Sequence, residues 1–127
     1  MSFRTLALAA VAAAALAAPL SAQAAGDPVK GKALFNAQCG LCHSAVAGEE
    51  DAAPSLNGVV GRKAAGDAGF PAYTKALKGS GLTWTAAHLD TFLSGPAKLV
   101  PGTAMPITVA KPQDRANVIA YLATLKH

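Results

Sequence analysis

Two cysteines and a histidine stand together in Cys39-Gly40-Leu41-Cys42-His43, and the chain has no other cysteine. On a helical backbone, cysteines three apart sit about one turn from each other, so both sulfurs can bond to one side of a flat ring. The next residue then lies beneath the centre of that ring, where a histidine presents an imidazole nitrogen to a metal. This is the C-x-x-C-H pattern of covalent haem attachment through two thioethers. Two other chemistries use the same residue types. A thioredoxin-like redox disulfide belongs near a βαβ pattern, but the only strand-like runs here are Val59-Val60 and Ile107 to Val109. A structural zinc site would need a fourth ligand from His88, His127 or a carboxylate.

A haem iron needs a second axial ligand or an open position, and few residues qualify. Apart from Met1, Met105 is the only methionine, and it lies in the turn-rich segment Pro101-Gly102-Thr103-Ala104-Met105-Pro106. A thioether is a soft neutral donor, and His/Met ligation raises a haem's reduction potential. Met105 is therefore the expected distal ligand and His43 the proximal one, with His88 or an exchangeable site as the alternatives.

The elements that must position these groups begin after residue 24. Arg4 precedes an apolar run from Leu6 to Ala18, broken by Pro19 and closed by Ala22-Gln23-Ala24. That is the layout of a cleaved secretory signal peptide, with an apolar core shorter than the roughly 20 residues of a membrane-spanning helix. Residues 25–127 then form one domain, exported to an oxidising compartment and small enough to gain from a cofactor in its core. The net charge of +4 falls by one with Arg4, and no basic stripe with interleaved aromatics appears, which argues against nucleic acid as a partner.

Short helices joined by Gly/Pro loops predict an all-α fold. Asp27-Pro28 starts a helix running to about Cys39, with Gly31 and Phe35 on one face. A shorter helix is expected near Pro71 to Lys78, ending at Gly79, and another from Thr85 to Leu93 that buries Leu89, Phe92 and Leu93 before Ser94-Gly95-Pro96 stops it. Pro112 and Asp114 open the last helix, whose apolar stripe is Val118, Tyr121, Leu122 and Leu125.

Taken in order, these residues resemble the class I c-type cytochromes, mitochondrial-type cytochrome c and its bacterial relatives. Gly31 and Phe35 look like the glycine and aromatic of that family's N-terminal helix, crossed by a C-terminal helix bearing Tyr121. The run from Pro54 to Arg62 resembles the loop P-x-L-x-G-x-x-G-R, and Pro101-Gly102-Thr103 precede Met105 as P-G-T precedes the family's ligand. The resemblance implies a small cytochrome c fold around one covalent haem c, with Pro54 orienting His43. It also implies Arg62, Tyr73 and Trp84 on the propionates, and Thr103 beside the cofactor. The implied function is a periplasmic electron carrier rather than an enzyme, monomeric, serving a membrane oxidase, a cytochrome bc1-type complex or a periplasmic dehydrogenase. A peroxidase-like or gas-binding haem protein and a fixed cytochrome subunit of a larger complex are the alternatives.

Some positions depart from the family. Gln38 and Ala104 stand where lysines are common, Lys98 remains, and Glu49, Glu50 and Asp51 follow His43, so the front face is less basic than in the mitochondrial proteins. Phe92 stands where the family usually has a tyrosine whose hydroxyl reaches the methionine sulfur.

Overall fold

The structure, a computed structural model, describes residues 25–125. The leader through Ala24 and His127 lie outside the described residues. Helix α1 spans Pro28–Leu34. Its start follows from two residues: the Asp27 carboxylate accepts the N–H groups of Val29 at 2.8 Å and Lys30 at 3.2 Å, and Pro28 fills the first turn where its missing N–H costs nothing. The helix does not reach Cys39 in regular form. Over Phe35–Cys39 it widens to a π turn, closed by the Gly40 N–H on the Phe35 carbonyl at 2.7 Å.

Helix α5, Pro112–Leu122, crosses α1 and ends before Leu125. Asp114 in its first turn favours the positive end of the helix dipole. The crossing is close because Gly31 puts no side chain between the Asn117 carbonyl and the Tyr121 β-carbon. The Phe35 and Tyr121 rings meet edge to face with centroids 5.3 Å apart, a geometry worth about 0.5–1.5 kcal/mol beyond the area buried. Asn117, buried in the same contact, accepts the Asp27 N–H at 2.8 Å on Oδ1.

The middle of the chain is less regular than its sequence suggests. Helix α2 spans Lys75–Gly79, and its cap is Thr74, whose hydroxyl accepts the Leu77 N–H at 3.2 Å. Pro71 and Ala72 therefore stay outside the helix expected to begin with them. Helix α3, Ala86–Ser94, is capped by Thr85 and buries Leu89, Phe92 and Leu93. Gly95 and Pro96 end it and at once start α4, Pro96–Leu99, with Pro96 in the first turn. Val59-Val60 and Ile107 to Val109 form no strands, and an isolated bridge between Lys63 and Thr83 is the one β contact among the described residues. Val59, Trp84, Val100, Val109 and Val118 join the helix faces in one core. No helix of the described residues is long and apolar enough to cross a membrane.

Candidate functional site

The π turn delivers Cys39 to the edge of a cavity of about 350 Å³. From there the chain turns tightly, with the Cys42 and His43 N–H groups both on the Cys39 carbonyl at 3.1 and 2.9 Å, so Cys39, Cys42 and His43 all line the cavity. Cys42 is exposed, whereas burial pushes the Cys39 thiol above its ordinary value. No disulfide joins the two sulfurs.

His43 is held by one bond. Its Nδ1 lies 2.7 Å from the Pro54 carbonyl oxygen, which can only accept, so Nδ1 carries the proton and Nε2 keeps a free lone pair. Burial pushes the imidazole pKa below its usual value, the Pro54 bond opposes that shift, and the Arg62 charge adds to it. The site thus favours a neutral imidazole with one committed nitrogen and one donor nitrogen.

Met105 lines the same cavity from the loop after α4. Gly102, at φ 90°, makes the turn that a side chain would strain. Beyond it the Met105 N–H reaches the Thr103 hydroxyl at 3.3 Å, and the Thr103 N–H bonds the Val100 carbonyl at 3.0 Å. Leu56, Val59, Leu77, Leu89, Phe92 and Leu93 supply apolar wall.

Three donors complete the lining. Arg62 Nη1 and Nη2 bond the carbonyls of Asn57 at 3.1 Å and Ser55 at 2.8 Å, while its buried Nε has no partner. The Tyr73 hydroxyl accepts the Asp67 N–H at 3.2 Å, leaving its own proton to give. The Trp84 indole N–H has no acceptor among the described residues, and its ring stands edge-on to Phe92 at 4.9 Å. An orphaned buried guanidinium N–H is costly unless something anionic meets it. An apolar cavity with an imidazole, a thioether, two thiols and these donors fits a flat, metal-bearing ring with carboxylate arms.

All nine residues singled out in the sequence line this one cavity: Cys39, Cys42, His43, Pro54, Arg62, Tyr73, Trp84, Thr103 and Met105. His88 is not among the lining residues, and its Nδ1 bonds the Thr83 carbonyl at 2.7 Å. Ser55 was not foreseen as a support. It is 2% exposed, its hydroxyl donates to the Val46 carbonyl at 2.7 Å, and its own carbonyl anchors Arg62.

Comparisons with known proteins identify the family. The family model described as cytochrome c matches residues 28–126. A cytochrome c2 of Rhodomicrobium vannielii is 50% identical over 113 residues, covering 87% of this chain and 89% of the relative. A cytochrome c of Tetrahymena pyriformis is 48% identical over 101 residues, covering 79% and 90%. Among solved structures, cytochrome cH from Methylobacterium extorquens matches with a TM-score of 0.72 at 42% identity, covering 78% of this chain and 99% of that one.

Proposed function

The chain belongs to the cytochrome c family, whose members carry one covalent haem c and transfer electrons, and from that premise we propose that it is a periplasmic carrier of single electrons with His43 and Met105 as axial ligands. Residues 1–24 are its cleaved leader, and residues 25–127 work as one monomeric domain. Haem, once bound, supplies an iron that changes between ferric and ferrous states without making or breaking a substrate bond. The protein's own residues do the rest. Cys39 and Cys42 would hold the ring edge through thioethers, and Pro54 holds the His43 ring by Nδ1, which leaves Nε2 as the nitrogen that would bind the metal. Met105 would supply a thioether sulfur as the second ligand, and the apolar walls keep water away. Arg62, Tyr73 and Trp84 would receive the propionates, and Thr103 braces the Met105 backbone through its hydroxyl. Its partners are redox proteins, such as a membrane oxidase, a cytochrome bc1-type complex or a periplasmic dehydrogenase.

The observation that carries this reading is the 2.7 Å bond from His43 Nδ1 to the Pro54 carbonyl, with Met105 lining the same cavity. A peroxidase-like or gas-binding role needs an open distal position, which Met105 opposes. Optical spectra of the exported protein, oxidised and reduced, test the proposal together with its mass. The expected product is red, begins near Ala25, carries one haem and has a weak near-infrared sulfur-to-iron band in the ferric form. Met105→Ala should abolish that band and lower the potential. A colourless product would end the proposal, and a wild type without the band would remove Met105 from it.

A further inference from the structure

Arg115 lies on α5 and does not line the cavity, yet it reaches the loop that carries Met105. Its side chain is only 11% exposed. Nε donates to the Asp90 carboxylate on α3 at 2.7 Å, and Nη1 donates to the Val109 and Ala110 carbonyls at 3.0 and 2.9 Å. Val109 is itself buried, and its N–H bonds the Leu93 carbonyl of α3 at 2.7 Å. Between Met105 and Val109 the chain is exposed and makes no other hydrogen bond among the described residues.

We infer that Arg115 is a positioning residue that latches the Met105 loop shut, by tying the far end of that loop to α3 and α5 at once. The inference rests on Met105 as distal ligand. A loop held at few points opens locally at a free energy below that of global unfolding. Its opening therefore depends on the Val109 anchor, where one guanidinium satisfies two carbonyls through charge-assisted bonds. Removing it leaves both carbonyls without that donor and takes away the ion pair between α3 and α5. Asp90 is 41% exposed, so its ion pair serves mainly to aim the guanidinium.

The test uses the haem-loaded protein and imidazole as a competing ligand for ferric iron. A ligand that binds only the open state gains affinity in proportion to that state's population. Arg115→Met should raise imidazole affinity about tenfold, or about 1.4 kcal/mol, and should speed hydrogen exchange at the Val109 amide more than at the Val118 amide within α5. Asp90→Asn, which leaves both carbonyl bonds in place, should move both readings the same way by less. Unchanged imidazole affinity in both variants overturns the latch. So does equal acceleration at Val109 and Val118, which would mark a general loss of stability. A wild type lacking the sulfur-to-iron band sinks the Met105 assignment instead, and Val109 exchange still reads the latch in that case.

Discussion

Gly31 on α1 lies against the carbonyl of Asn117 on α5, so close that a β-carbon on Gly31 would overlap that oxygen. Neither group can yield easily, because both belong to helix backbone and Asn117 also takes the Asp27 N–H. Gly31→Ala would gain about 1 kcal/mol of helix propensity, but forcing the two helices apart costs more. The expected net loss is about 2 kcal/mol, or ~10 °C in melting midpoint for a domain of this size. Thermal unfolding of the haem-loaded protein checks it. An unchanged midpoint would mean the helices separate freely.

How far the sequence could be read depended on whether a position's partner was near in the chain. Helices α1, α3 and α5 were legible because caps and apolar spacing are local, as at Asp27 and Thr85. The start of α2 was misjudged because Pro71 looks like a first-turn residue, whereas the Thr74 hydroxyl makes the cap. Helix α4 was missed because Gly95-Pro96 reads as a stop, although the same proline opens the next helix. The π turn at Phe35–Cys39 has no side-chain signature. The site residues were legible as motifs, Pro54 as the anchor of His43 among them, but the longer-range supports were not: Arg115 meets Asp90 across 25 positions of sequence, in no pattern that spacing could reveal.

Tyr73 gives a pH dependence of known sign. Burial pushes its phenol above the ordinary value of about 10. As pH rises past 10 the unfolded chain loses this proton while the folded chain keeps it, so the folded state binds more protons and stability falls until the folded value is reached. Below pH 10 the group contributes no slope. Tyr73→Phe should therefore lose less stability than wild type on going above pH 10, as read by denaturant midpoints at successive pH values. Parallel slopes would refute it.

Phe92 places a bare ring where a hydroxyl would change the metal's environment. It is 7% exposed and lines the cavity with Met105. In Phe92→Tyr the new hydroxyl has few acceptors in apolar surroundings, and leaving it unpaired would cost about 1–3 kcal/mol. The Met105 sulfur is a weak acceptor within the same lining. With Met105 as the proposed ligand, a hydrogen bond there would draw electron density from the sulfur and weaken its donation to ferric iron more than to ferrous. Phe92→Tyr is expected to raise the reduction potential, measured by voltammetry. A lowered or unchanged value would show that the hydroxyl does not reach the sulfur.

Arg62 separates two roles that a single variant would confuse. Two of its nitrogens hold the Ser55 and Asn57 carbonyls, and Ser55 is almost wholly buried, so any shorter side chain should cost about 1–3 kcal/mol through carbonyls left unpaired. Its charge acts separately: after burial, the guanidinium also pushes the His43 pKa down. A cation so placed favours the ferrous state, which carries one positive charge fewer. Arg62→Lys keeps the charge and loses the fork, while Arg62→Gln loses both. The two variants should lose similar stability, but only Arg62→Gln should lower the reduction potential, by tens of millivolts on a scale where about 59 mV is tenfold for one electron. Paired denaturant unfolding and voltammetry decide it. If both variants keep the wild-type potential, the Arg62 charge does not reach the metal and its orphaned Nε serves something other than a propionate.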